Sequence, residues 1–250
     1  TSNTGSEVVL GGGFEYRTKG AISAVSPTTG QYGTEVTISG SRLRGSGNNV
    51  VNVTLVGRVA TIVNESTSQV TVVAPEGPTV ETLGDVVLTA DTGAIVSSAD
   101  AFTFAVPGSV SGVIPNSGRV GTVATVIGSN LCGSGSSVVR VLLAGFDANI
   151  TTETCFSVVV TANDVGNNRT GPVTVISDTG AIVSGAVNWT YISEGRISSI
   201  SPIAGQSGTT VTILGQRLFG GGSGVASVTI GGVNTIVQSA TDDQVVATLV

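Results

Sequence analysis

The sequence predicts an all-β protein built of tandem β-sandwiches, the third of them incomplete. Three observations carry this. Of 250 residues 36 are glycine and only 10% are charged, while Val, Ile and Thr recur in short runs broken by Gly, Asn and Asp, the pattern of strands joined by turns. Three segments open alike: "AISAVSPTTGQYGTEVTISGSRLRGSG" from Ala21, "SVSGVIPNSGRVGTVATVIGSNLCGSG" from Ser109 and "RISSISPIAGQSGTTVTILGQRLFGGG" from Arg196. Their prolines, Pro27, Pro115 and Pro202, stand 88 and 87 residues apart, too long a period for a solenoid turn and suited to one sandwich per unit.

The expected organisation is an arm at 1–20, a first repeat at 21–107, a second at 108–194, and a third at 195–250. Within the first repeat, "TEVTISG" (34–40) sets Val36 and Ile38 against Thr37 and Ser39, a half-buried strand. "VVNVTLVG" (50–57) sets Val51, Val53 and Leu55 against Asn52 and Thr54. "QVTVVAP" (69–75), "GDVVLTAD" (84–91) and "DAFTFAV" (100–106) follow as further strands. Asp-Thr-Gly-Ala at 91–94 and 178–181 has the chemistry of a hairpin turn, with Phe102 and Phe104, or Trp189 and Tyr191, on the strand that follows.

The line I-x-x-(I/V)-x-P-x-x-G-x-x-G-T-x-V-T-I-x-G-x-x-L, followed by V-x-x-V-x-(L/I)-x-G, resembles the IPT/TIG family of immunoglobulin-like domains, found in plexins and related receptors, in some transcription factors and in many extracellular proteins. The match rests on Gly30, Gly33, Thr34, Gly40 and Leu43, on Gly118, Gly121, Thr122, Gly128 and Leu131, and on Gly205, Gly208, Thr209, Gly215 and Leu218. The resemblance implies tandem immunoglobulin-like sandwiches and no shared active site, so function has to come from elsewhere.

Several functions are disfavoured by composition. There is no histidine, which removes Ser-His-Asp and Cys-His catalysis, and the chain is read as a non-enzyme without a cofactor. The net charge of −6 disfavours nucleic acid as a partner. The acidic residues Asp91, Asp100, Asp147, Asp178, Asp242 and Asp243 read as solvated turn and loop positions with no calcium-loop spacing, and no metal site is expected. The glycine clusters at 45–49, 133–137 and 220–224 recur once per repeat and lack the Lys of a phosphate loop, so they read as connections between strands. No apolar run is long enough for a membrane span, and the start at Thr1 suggests a processed or partial chain.

Cys132 and Cys155 belong to one repeat and are absent from its sisters, as a paired gain or loss would leave them; a disulfide between them is expected, and it would place the protein outside the cell or on its surface. Asn52, Asn64, Asn149, Asn168 and Asn188 lie in Asn-x-Ser/Thr sequons and are candidates for covalent glycans.

The arm repeats the end of a unit. "SNTGSEVVLGGGFEY" (2–16) is a worn copy of "SDTGAIVSGAVNWTY" (177–191), with Phe14 level with Trp189 and Tyr16 level with Tyr191. A second register matches "SEVVL" (6–10) to "GDVVL" (84–88), making the arm a two-strand hairpin turned at Gly11 to Gly13; both stay open at this point. In the third repeat Val250 is level with Asn163, so the counterparts of the last two strands are not among residues 195–250. An unfinished sandwich exposes core and strand edges that another strand can satisfy. The expectation is a homopolymer joined head to tail, in which Val8, Leu10, Phe14 and Tyr16 are donated into a groove bounded by Val211, Ile213, Val245, Val246 and Leu249 of a neighbour. Twelve positions, the counterparts of 164–175, are supplied by neither end, which suits a window cut from a longer covalent array. The function expected is that of a structural subunit of an extracellular filament or surface appendage. The alternatives are a ligand-binding ectodomain, receptor or adhesin, and an accessory module of a secreted carbohydrate-active enzyme. Tyr32, Phe146, Phe156 and Phe219, the candidate exposed aromatics, are too dispersed to form a sugar platform.

Overall fold

A computed structural model describes residues 1–166 and 168–250. It divides into two compact units, Thr1–Val106 and Pro107–Val250.

In the first unit the strands are β1 (Ala21–Ser26), β2 (Thr29–Gly30), β3 (Glu35–Ser41), β4 (Val50–Leu55), β5 (Arg58–Val59), β6 (Thr61–Glu65), β7 (Gln69–Val73), β8 (Thr82–Ala90) and β9 (Ile95–Phe104). They form two sheets, ordered β1-β3-β7-β6 and β2-β9-β8-β4-β5, whose apolar faces meet. Val36 and Ile38 on β3, Val70 and Val72 on β7, Val86 and Leu88 on β8, and Phe102 and Phe104 on β9 are wholly buried between them. Each such side chain contributes roughly 1.5–3 kcal/mol by leaving water.

One expected alternation is corrected. Val51 is 58% exposed, whereas Val50 is buried with Val53 and Leu55. The ladder between β4 and β8 shifts register between Val50 and Asn52, and this bulge moves the inward residue back by one. The same device recurs between β1 and β3, where the shift lies between Ile22 and Ala24.

The motif around Thr34 has a local cause. Gly33 has φ 85°, and the Thr34 hydroxyl accepts the Gln31 N–H at 3.0 Å, closing the turn before β3. A Cβ on Gly30 would press on the Thr34 side chain, so the spacing G-x-x-G-T is a packing requirement.

The second unit opens with β10 (Ser109–Ile114), β11 (Ser117–Gly118), β12 (Val123–Ser129), β13 (Val138–Leu143), β14 (Phe146–Glu153), β15 (Ser157–Ala162), β16 (Arg169–Ser177) and β17 (Ile182–Tyr191). Here β14 runs continuously from one sheet into the other, so the order is β10-β12-β15-β14-β13-β16-β17-β11. Asp100 and Asp147, expected in turns, lie within β9 and β14. Trp189 and Tyr191 are the largest buried side chains of this repeat, their rings meeting edge to face at 5.7 Å.

The same unit continues as β18 (Arg196–Ser201), β19 (Thr210–Gln216), β20 (Thr229–Ile230), β21 (Val233–Ala240) and β22 (Gln244–Leu249), in the sheet order β18-β19-β22-β21-β20. Counterparts of β16 and β17 are not among these strands. The core here is correspondingly small. Val211, Ile213 and Val245 are its buried centre, while Val225, Val228 and Ile230, level with the buried Val138, Val141 and Leu143, are only partly covered.

Candidate assembly surfaces

The arm has no strand, yet it carries a turn found twice elsewhere. Gly5 N–H donates to Ser2 O at 3.0 Å and Ser2 N–H to Ser6 O at 2.7 Å. In the hairpin of β8 and β9, Gly93 donates to Ala90 and Ala90 to Ala94, both at 2.9 Å; in that of β16 and β17, Gly180 donates to Ser177 and Ser177 to Ala181, both at 3.0 Å. The glycine φ values are 85°, 82° and 81°. Gly12, at φ 72°, stands level with Asp100, the left-handed residue at φ 49° inside β9. A second turn, Gly13 N–H to Leu10 O at 3.2 Å, has no strand on either side of it. The arm thus carries the hairpin turn of a repeat, at the place where the first of the two registers sets it.

In that register Val8, Phe14 and Tyr16 are level with Val96, Phe102 and Phe104, and with Val183, Trp189 and Tyr191. All six counterparts are 2% exposed or less, whereas Val8 is 96%, Phe14 78% and Tyr16 93% exposed. The Phe14 and Tyr16 rings already meet edge to face at 5.0 Å, as Phe102 and Phe104 do at 5.2 Å. Leu10, also exposed, is level with Ser98 and Gly185, which are not core positions.

The arm also joins its sandwich by a recurring junction. Arg42 donates through Nε and Nη2 to the Lys19 carbonyl, and a Cβ on Gly20 would strike the Arg42 carbonyl. Where β17 leads into β18, Arg217 donates to the Glu194 carbonyl and Gly195 lies against the Arg217 carbonyl in the same way.

On the acceptor side, Val211 pairs with Ala247 and Ile213 with Val245 across β19 and β22, so these four share the inner face, with Leu249 partly buried against it. Val246 belongs to the opposite face, opposite Thr212, and the alternation puts Ala247 in its stead. Ile203 is almost wholly exposed. It is level with Asn116, whose carbonyl accepts the Thr190 N–H when β17 pairs in parallel with β11.

The glycine-rich loops are held from the hairpin turn. The Asp91 carboxylate accepts Asn48 N–H at 3.0 Å, the Asp178 carboxylate accepts Ser136 N–H at 3.1 Å, and the Ser136 hydroxyl, the largest cause, helps hold the Asp178 carboxyl below the usual carboxylate range. These aspartates, read from sequence as solvated turn residues, thus have a structural role; the signal was their fixed place three residues before Ala94 and Ala181 in both complete repeats. A second attachment differs between repeats. In the first, Arg44 pairs with Glu65 at 2.9 Å, and this guanidinium, with the Val50 N–H, holds the Glu65 carboxyl low. In the second, Cys132, level with Arg44, is joined by a disulfide to Cys155, level with Thr67, with Cα atoms 4.9 Å apart. In the third, Phe219 N–H donates to the Asp242 carboxylate at 2.9 Å.

Asn64, Asn149, Asn168 and Asn188 are exposed, and Asn52 is half-buried. Among the described residues no cluster of acidic residues and cysteines has a metal-binding arrangement. Tyr32 and Phe156 are exposed, while Phe146 packs edge to face on Tyr191 with the Arg169 guanidinium over its ring.

The IPT/TIG domain matches residues 21–104 and 196–250, more than half of the chain, and the protein belongs to that family. No curated protein matches it. Among solved structures, the chain is similar to the full extracellular region of plexin A4, at 18% identity and a TM-score of 0.47, covering 99% of this chain and 22% of that one. The chain thus spans about a fifth of that plexin structure. It is also similar to the SGBP-B protein of a Bacteroides ovatus mixed-linkage glucan utilization locus, at 16% identity and a TM-score of 0.29, covering 76% of this chain and 48% of that one. A surface glycan-binding protein from Prevotella bryantii matches at 11% identity and a TM-score of 0.29, covering 69% and 42%.

Proposed function

We propose that this chain is a structural subunit of an extracellular filament or surface appendage, and that copies join head to tail when the arm of one adds a last strand to the open third sandwich of the next. The observation that carries this is the exposure of Val8, Phe14 and Tyr16, whose six counterparts are core residues. Burying three such side chains would favour association by roughly 5–8 kcal/mol before the entropy of joining is subtracted. The arm supplies a counterpart of β17 and its turn, and the groove over Val211, Ile213, Val245, Ala247 and Leu249 takes it. The recurring junction at Gly20 and Gly195 supports the same reading, because a donated arm would lead into its own sandwich as β17 leads into β18. The disulfide suits an oxidising compartment.

The test follows from the parallel pairing of Ser117 with Thr190. Their counterparts are Ala204 and Glu15, so the double variant Ala204→Cys, Glu15→Cys of the full natural chain should form intermolecular disulfide ladders on mild oxidation, and electron microscopy of the unmodified protein should show fibres. Monomeric bands and dispersed particles at high concentration would refute donation. A link confined within single chains would refute it equally.

A further inference from the structure

We propose that the Ser2–Ser6 turn of one copy is the part that addresses the arm to its neighbour, seating on the Phe219–Val225 loop with the Asn3 side-chain oxygen accepting the backbone N–H of Ser223. The inference rests on the strand-donation reading and adds the contact that sets its register. In both complete repeats the residue level with Asn3 is an aspartate whose carboxylate takes the equivalent N–H, that of Asn48 or Ser136. The backbone of the same aspartate donates back, Asp91 N–H to Asn49 O at 3.0 Å and Asp178 N–H to Ser137 O at 3.1 Å, which makes a two-way clasp between turn and loop. The loop counterparts in the third repeat are Ser223 and Gly224, and among the described residues Ser223 has no hydrogen-bond partner.

An independent observation is the glycine beneath the clasp. A Cβ on Gly47 or Gly135 would run into the carboxylate of Asp91 or Asp178, so in these repeats the glycine is required by what lies over it. Gly222 occupies the level position in the third repeat, and a Cβ there meets nothing nearer than the Phe219 carbonyl oxygen at 3.3 Å. The third loop thus keeps the recess, and among the described residues no side chain comes within 4 Å of that Cβ position. The other half of the clasp stands in the arm with its hydrogen bonds made, Asn3 lying between Ser2 and the left-handed Gly5. A preformed turn entering a preformed recess costs little ordering entropy, and it aligns Val8, Phe14 and Tyr16 with the groove before they are buried.

Asparagine in place of aspartate makes the clasp neutral. A carboxylate gives a stronger, charge-assisted bond to a backbone N–H than an amide oxygen does. Asn3→Asp should therefore tighten the joint, and Asn3→Ala should loosen it.

The experiment reads the rate of the Ala204→Cys, Glu15→Cys intermolecular link in the full chain, alone and with a third change. Gly222→Ala should slow linking about tenfold by filling the recess, and Asn3→Ala should slow it by a similar factor, the worth of about one net hydrogen bond. Asn3→Asp should speed linking at pH 7, and the gain should vanish as the pH drops below about 4, where an unperturbed aspartate takes up its proton. Equal rates in all four proteins would overturn the clasp while leaving donation standing. Absence of the link in the parent double variant would overturn donation itself, and the clasp with it. Should Gly222→Ala disturb its own loop, the two Asn3 variants, which lie in the exposed arm, decide the matter.

Discussion

The carboxylate of Asp178 accepts the backbone N–H of Ser136 at 3.1 Å across 42 residues of chain, tying the last hairpin turn of the second sandwich to its glycine-rich loop. Because the bonded state holds the Asp178 carboxyl below its usual range, its contribution to stability is full above the unfolded pKa, near 3.9, and is lost as the pH falls through the lower folded value. Trp189, the single tryptophan, reports this sandwich alone. Thermal melts followed by its fluorescence should fall as the pH is lowered below about 4, and Asp178→Asn should melt lower at pH 7 and show a shallower dependence. Parallel curves for the two proteins would count against the tie.

Gly135→Ala places a methyl group against that same carboxylate. It should lower the melting temperature of the second sandwich more than Asp178→Asn does, and combining the two changes should recover part of the loss, since the obstruction goes with the tie. Additive losses in the double variant would mean that the glycine is needed for some other reason.

The disulfide of the second repeat joins Cys132 and Cys155, which are level with Arg44 and Thr67 of the first. Arg44→Cys with Thr67→Cys should therefore form a disulfide closing a loop of the same length, stabilising the first sandwich by about 3 kcal/mol relative to its reduced form in the chain-entropy account. Non-reducing peptide mapping checks the bond, and chemical denaturation with and without reductant checks the gain. A pair of thiols that stays free under mild oxidation would show that the two loops are not equivalent.

Tyr191 is buried, and among the described residues its hydroxyl has no hydrogen-bond partner. Its counterpart in the first repeat is Phe104, which fills the same place with no polar atom. Tyr191→Phe should thus stabilise the second sandwich by about 1 kcal/mol, the order of an unmet buried hydrogen-bonding group. A loss of stability in calorimetry would point to a buried water serving the hydroxyl.

For glycans, exposure ranks the sequons. In protein secreted by a glycosylating host, Asn64, Asn149, Asn168 and Asn188 should carry glycan more fully than the half-buried Asn52. Glycopeptide mass spectrometry gives the occupancies, and high occupancy at Asn52 with the exposed sites bare would contradict the ranking.

Much of the architecture was legible because glycine, proline and β-branched residues act locally. Gly33 and its counterparts need a left-handed backbone, and the Asp-Thr-Gly turns announce their hairpins within four residues. What could not be read is set across strands. The inward step from Val51 to Val50 follows from a bulge against β8, which leaves no mark in a run of two valines. Val246 and Ala247 are likewise told apart by pairing with β19. The role of Asp91 and Asp178 depends on loops more than 40 residues away, beyond the reach of a turn motif. At the candidate assembly surfaces the arm was visible through repetition, whereas its turn is set by backbone hydrogen bonds that no residue pattern spells out.

Besides the aspartate tie that the first two repeats share, each repeat pins its glycine-rich loop by a different second chemistry, and only the middle one uses sulfur. A reductant consequently acts as a selective solvent for one module of the three. It loosens the second sandwich while the guanidinium clasp of the first and the amide-to-carboxylate tie of the third go on holding. Were copies joined head to tail as proposed, the string would soften at one regularly recurring module.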